Sequence, residues 1–317
     1  MSAHGYVFIL TPIDISDPSG TELAPAHRIA KANNEQVDQI KRLLDQFNTK
    51  LKPFFISPYE YNVRAVEGDK PGNVRYFHDP LPCERWRYWI VAFEGTNSEL
   101  GDLQLACTLI QQDIELGFEV LYNEAIQGPF YVWHPPSLQS FLDSGFELLP
   151  PKQIEQTDLA QIRRNFDDIK NLPQEYVHIR RALTRFDQLK SLPRTSELVV
   201  IGLFSVIESL VSHAPTLTEA ADSLTHQLRT KLPLLRKRFQ IGLEHGDFFP
   251  DVDEETLWKR LYEYRSKIVH GENSTLSGKL QVLRDRKPVI AFLRETAKRL
   301  FRLSLSEPQF ISDLKKC

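Results

Sequence analysis

Cysteine is scarce in this chain: Cys83, Cys107 and Cys317 stand far apart and are odd in number. They supply neither a disulfide framework nor a spaced pair of metal ligands, and this usage suits a reducing compartment. Long apolar runs are missing as well. None approaches the roughly 18 residues that a membrane helix needs. The apolar start "GYVFIL" is too short for a secretory leader and lacks its basic flank, so it reads as a strand. These absences predict a cytoplasmic protein with no membrane partner. There is no internal repeat, no low-complexity tract, no phosphate-binding glycine loop, no Ser-His-Asp signature and no nucleotidyltransferase signature. His4, His27, His78 and His134 are scattered without metal-ligand spacing, so no metal and no other cofactor is expected.

What is present divides the 317 residues in two. Residues 1–154 carry 12 Lys and Arg against 20 Asp and Glu, a balance of −8; residues 155–317 carry 27 against 22, a balance of +5. A polyanion would be drawn to the rear half. The front half reads as mixed α/β. Strands are expected at "GYVFILTPI", "PFFISPYEY", "VRYFH", "WRYWIVAFEG" and "GPFYVWH", broken by turn clusters such as "DKPGN" and "DPLPC". Helices are expected at "NEQVDQIKRLLDQFNTKL", at "TNSELGDLQLACTLIQQDIELGF" and, briefly, at "PPSLQSFLDSGF". Trp86, Tyr88 and Trp89 invite a base-stacking role, but aromatics alternating along a strand read as core. "ELLPPKQ" marks the boundary, near residues 154 and 155.

Behind that boundary nearly everything has helical period. "ELVVIGLFSVIESLV" is apolar almost all round, as a central buried helix is. "TEAADSLTHQLRTKLPLLRKRFQIGLEHG" reads as a helix interrupted at Pro233, and "GKLQVLRDRKPVIAFLRETAKRLFRLSL" reads as one last long helix. The fold class expected is α+β, a mixed α/β domain (1–154) followed by an all-α bundle (155–317).

One stretch of the bundle carries chemistry. In "YEYRSKIVHGEN" Arg265 and His270 are five positions apart, about 140° around an ideal helix. Gly271 can end the helix in the left-handed conformation, which frees the ring of His270 to turn toward whatever Arg265 faces. A helix C-terminus favours an imidazolium there. An arginine beside a titrating histidine suits phosphodiester chemistry, the imidazole moving a proton and the guanidinium gripping phosphate oxygens. The same pattern also fits a plain C-terminal cap, with Arg265 paired to Glu263 or Glu254. Glu208 places a charge in an otherwise apolar helix, which is costly unless it is paired. It either orients Arg265 or His270, or lies exposed at the bundle's edge. Arg229, Lys231, Arg236, Lys237 and Arg238 either meet RNA phosphates or form a solvated helix face.

"YRSKIVHG" resembles the RxxxxH signature of HEPN domains, particularly the Apea-like branch. "YVHIRRALTRFDQLKSL", "ELVVIGLFSVIESL", "SLTHQLRTKLPLL" and "LYEYRSKIVHG" follow in that branch's order and rough spacing. The resemblance covers about residues 174–305 and nothing before about 155. It implies a small antiparallel helical bundle that forms a homodimer with the two motifs facing one another. It implies a metal-independent endoribonuclease of the toxin or antiphage-defence kind. His270 would be general base or general acid, and Arg265 would hold the scissile phosphate. Glu208 would orient them, with Ser266, Lys267, Arg229, Lys231 and Arg236 nearby on the catalytic or RNA-binding surface. Its partners would be RNA, a second copy of the chain, and a protein or ligand trigger for the front domain. His226 corresponds to a position near that site. The sequence departs from the pattern at Ser266, where active members commonly carry Asn, Asp or His. The alternative implied is a catalytically silent HEPN protein that binds nucleotide or RNA, or only dimerises as a scaffold.

Overall fold

A computed structural model describes residues 3–16, 20–47, 57–67, 74–95, 97–122, 129–132, 151–193, 196–213 and 224–316. The architecture is α+β: a strand-rich front part and a helical rear part. Two compact units divide the chain, Met1–Asp167 and Asp168–Cys317. The division falls inside a helix rather than at the proline-rich segment before residue 154.

The front unit is built on an antiparallel six-stranded sheet. Its strands are β1 (Ala3–Ile9), β3 (Glu22–Ala24), β4 (His27–Lys31), β7 (Trp89–Gly95), β8 (Leu116–Tyr122) and β9 (Pro129–Val132). They lie side by side in the order β3-β4-β7-β1-β8-β9. Two short strands, β2 (Ile13–Ile15) and β10 (Lys152–Ile154), pair in parallel, and β5 (Tyr61–Glu67) pairs with β6 (Val74–Pro80) as a separate hairpin. The period of two decides what each face buries. Tyr6, Phe8 and Leu10 join Ile90, Phe118 and Val120 on one face, against Val37, Ile40, Leu43 and Leu44 of α1 (Asn34–Phe47). Val7, Ile9, Val91 and Phe93 alternate with them and are buried too. Gly5 lets β8 come close, because a Cβ there would sit 2.2 Å from the Val120 carbonyl oxygen. Tyr88 and Trp89 are core, and Trp86 packs half-buried against it, so the stacking role finds no platform there.

Three expectations need correction, and some fall outside the described residues. Pro233 does not interrupt its helix, which runs through it over Leu224–Arg236. The second helix, α2 (Leu100–Thr108), stops well short of Phe118, and the end of its expected run forms β8. The Gln104 side chain accepts the Leu116 amide at 2.8 Å, which ties the helix end to the strand start. An apolar stretch such as "LGFEVLY" does not reveal its period over so few residues. The last long helix is likewise two pieces. A 3-10 turn covers Gly278–Leu283, Arg284 takes φ of +59°, and Asp285 caps a fresh helix by accepting the Arg286 amide at 2.6 Å. Residues 53–56 of "PFFISPYEY" and all of "PPSLQSFLDSGF" lie outside the described residues; of the rest of the first stretch only Tyr61 is strand.

The helix α3 (Gln156–Lys170) carries the division between the units. In the rear unit follow α4 (Val177–Gln188), α5 (Leu198–Val211), α6 (Leu224–Arg236), α7 (Glu254–Val269), α8 (Arg286–Ser306) and α9 (Pro308–Lys316). α5 is the centre: α4, α6, α7, α8 and α9 all pack against it. Its Leu203, Phe204, Val206, Ile207, Leu210 and Val211 are buried, as an all-round apolar helix requires. Aromatic contacts knit the rest, Phe186 with Phe301 at 5.5 Å and Trp258 with Phe292 at 5.5 Å. Among the described residues no helix is long and apolar enough to cross a membrane.

Candidate functional site

Helix α7 has a defined beginning and a defined end. Asp253 caps it by accepting the Thr256 amide at 2.8 Å. At the other end Gly271 takes φ of +67°, a conformation that a Cβ would penalise. Its amide donates to the Ile268 carbonyl at 3.2 Å, and the Glu272 amide donates to the Lys267 carbonyl at 2.9 Å. These two bonds make a Schellman ending, which satisfies carbonyls that a helix otherwise leaves over. His270 is therefore the half-free residue that the glycine predicted. Its amide is held by the Ser266 carbonyl at 3.0 Å, while its side chain is exposed.

Arg265 turns onto the central helix. Its Nη2 lies 3.6 Å from Oε2 of Glu208, and the two side chains are only 22% and 13% exposed. Neither Glu263 nor Glu254 is its partner: Glu263 takes Arg260 at 2.7 Å, and Glu254 takes Arg236 at 3.1 Å. The guanidinium also lies over the Tyr262 ring, 5.6 Å from its centroid. That ring meets Phe204 edge-on at 6.2 Å. Phe204 and Glu208 are one turn apart on α5, and Tyr262 and Arg265 one turn apart on α7, so an apolar rung and a charged rung lie in succession. Burial pushes the Glu208 carboxyl above its ordinary value of 4.5, and the pull of Arg265 offsets only part of this. Glu208 Oε1 and Arg265 Nε are both buried without a hydrogen-bond partner. A buried polar atom left over in this way asks for an occupant. Arg265 Nε and Glu208 Oε1 are the two polar atoms that this charged rung leaves over.

Behind His270 the chain is strapped down by residues that no sequence spacing connects. Glu197 Oε1 accepts from Ser274 Oγ at 2.8 Å and from Arg286 Nη2 at 2.9 Å, with the Tyr264 hydroxyl at 3.5 Å. The loop that follows the histidine is thus tied to the start of α5 and the start of α8. Burial and Glu197 raise the Tyr264 phenol, with Arg286 opposing. Glu197, Ser274 and Arg286 went unnoticed in the sequence because they converge only in the fold.

The remaining candidates sort unevenly. Ser266 and Lys267 are half-buried on the last turn of α7. Lys231 is only 6% exposed, and its ammonium caps α5 by donating to the Val211 carbonyl at 3.0 Å. It cannot meet an RNA phosphate, because α6 turns it inward beside Leu228, Leu232 and Leu235, which are buried as well. Arg229 pairs with Glu255, and Arg236 reaches Glu254 and Glu244, so these two charges are largely compensated. Arg238 pairs with Glu307 at 2.7 Å. Of the two readings of this cluster, RNA contact or solvated face, neither applies to Lys231, which is turned inward. His226 is exposed on α6. In the front unit His4 stacks on Tyr122 and His27 on Phe93, while His134 lies outside the described residues. Among the described residues no group of three His, Cys, Asp or Glu side chains converges as a metal site.

Compared with protein-family models, with curated proteins and with solved structures, the chain matches none.

Proposed function

We propose that the rear unit is a HEPN-type endoribonuclease that cleaves RNA without a metal, through a composite site formed by two copies of the chain. The observation that carries this reading is the division of labour on α7. An arginine is oriented by a half-buried carboxylate, and one turn further on a histidine is presented at a Schellman end with its ring in solvent.

Arg265 grips the scissile phosphate and stabilises the charge that builds up on it. His270 removes the proton of the 2′-hydroxyl or supplies one to the leaving 5′-oxygen. No hydrogen bond joins its ring to Arg265, so the histidine is positioned by the helix end alone. A single histidine serves only one end of an in-line displacement, and a second copy supplies the other. Glu208 is a positioning residue, since it touches Arg265 and not the substrate. The acidic front unit receives the trigger, a protein or ligand, and a toxin or antiphage role follows from such a pairing.

A second reading has its own support. Arg265 faces inward, and Ser266 stands where active members carry Asn, Asp or His. That favours a silent module that binds RNA or nucleotide, or only dimerises. Incubation of the purified protein with RNA in EDTA, beside His270→Ala, separates the two. Cleavage lost in the variant supports the nuclease, and equal absence of cleavage in both supports the silent module.

A further inference from the structure

A second cationic site lies away from Arg265 and His270, between α8 and the segment that follows α6. Arg238, Gln240 and Ile241 of that segment, with Arg299, Arg302 and Leu303 of α8, line a small open pocket. Arg299 and Arg302 are each only 9% exposed, yet their situations differ. Arg299 is fully engaged. Its Nε and Nη2 donate to the Ile241 and Gly242 carbonyls at 3.1 and 3.2 Å, and its Nη1 pairs with Glu295. It holds the segment to the helix. Arg302 makes no ion pair, and its Nη2 is buried without a hydrogen-bond partner.

A buried guanidinium with no partner is an expensive arrangement for a protein that could have placed a leucine there. The local charges relieve it only in part. Arg238, Lys298, Arg299 and Arg302 face two carboxylates, and both are already committed. Glu295 is shared between Arg299 and Lys298, and Glu307 holds Arg238. Burial and the neighbouring Arg299 both disfavour the charged form of Arg302, and Glu295 offsets part of this. Arg238 is half exposed at the mouth, braced by the Phe310 ring at 4.4 Å.

We propose that this pocket binds a phosphate group, with Arg302 as the buried donor at its floor and Arg238 as the charge at its mouth. The planar fork of arginine suits a tetrahedral oxyanion better than an ammonium does. Size narrows the class. The pocket is small and open to solvent, and it does not enclose a whole small molecule. It takes one phosphoryl group, either as free phosphate or as the terminal group of a nucleotide whose remainder lies outside. This inference does not use the proposed nuclease site and stands or falls separately from it.

The test uses the full chain and inorganic phosphate, with AMP and adenosine as further arms. Thermal unfolding is followed at matched ionic strength in phosphate and in chloride, because general screening affects exposed charges in both. Binding to the native state alone raises the midpoint progressively with ligand concentration. Phosphate is expected to raise it and chloride is not; a rise with AMP but not adenosine identifies a nucleotide phosphate as an equally good source. Arg302→Met should abolish the phosphate-dependent rise while its midpoint in chloride equals or exceeds that of the parent protein. The same rise in Arg302→Met, or no rise in the parent protein, overturns the proposal. Should Arg302→Met not fold, broadening of the phosphorus resonance of phosphate by the parent protein and by Arg238→Gln decides. No broadening by the parent, or equal broadening by both, also overturns it.

Discussion

Glu208 and Arg265 meet at 3.6 Å between the central helix and α7, and each keeps one buried polar atom without a partner. Their attraction does not fully offset the cost of burying the carboxylate, since Glu208 remains harder to ionise than a free glutamate. The pair is thus a device that holds an arginine in place at some expense to the fold. A half-satisfied buried pair of this sort costs stability.

The pH dependence follows from the sign of that shift. A carboxyl whose folded-state value is raised favours the native state while it is protonated. That contribution is lost as pH rises from the ordinary value of 4.5 through the raised one. Glu208→Gln cannot titrate. Its stability relative to the parent protein should therefore improve as pH rises through that window, and denaturant unfolding at acid and neutral pH measures it. A variant that loses ground at neutral pH would show that the ion pair outweighs burial after all.

Arg265→Ala leaves Glu208 buried without its cation. The predicted result is a further rise in the Glu208 carboxyl value, loss of RNA cleavage, and weaker RNA binding. The stability cost should be partly rescued by adding Glu208→Gln, with a coupling of about 1 kcal/mol in the double-mutant cycle. Arg265→Lys should restore binding in part and cleavage less, because one ammonium cannot reproduce the fork. Additive single effects would mean that the pair acts as two independent residues.

If two copies form the site, the full chain should be a dimer in light scattering at micromolar concentration. Cleavage should also persist in EDTA and vanish when the 2′-hydroxyl at the cut is replaced by hydrogen. Cleavage of the deoxy substrate would rule out the 2′-hydroxyl as nucleophile. A monomer that cleaves with undiminished rate would remove the need for a second copy.

How much of this was visible in the sequence depends on how far apart the partners lie. The end of α7 was legible, since a glycine directly behind the last periodic residue states its own geometry in "IVHG". Glu208 was legible as a problem, a charge in "LFSVIESL", although its solution on another helix was left between two readings. Lys231 was misleading, because five basic residues in a row of helical turns look like one face until packing turns one of them inward. The Glu197 cluster was invisible, as it joins the start of α5, the exit of α7 and the start of α8. The β8 strand was hidden in a run too short to show its period.

The last prediction separates the chemistry of His270 from the helix end that presents it. His270 is exposed, and its structural contribution is a backbone amide that alanine also possesses. His270→Ala should therefore change stability by no more than about 0.5 kcal/mol. In the same variant cleavage should fall by about a hundredfold or more, the usual weight of a general acid or base. Gly271→Ala should behave in the opposite way. There is open space around a Cβ at this position, so the cost is purely one of the left-handed backbone, about 1 kcal/mol. Its residual activity per folded molecule should track how well the end is preserved. Thermal unfolding and single-turnover cleavage on both variants give the two axes. Should His270→Ala unfold the bundle and leave activity per folded molecule unchanged, "IVHG" is a stop signal, and the arginine beside it serves the fold alone.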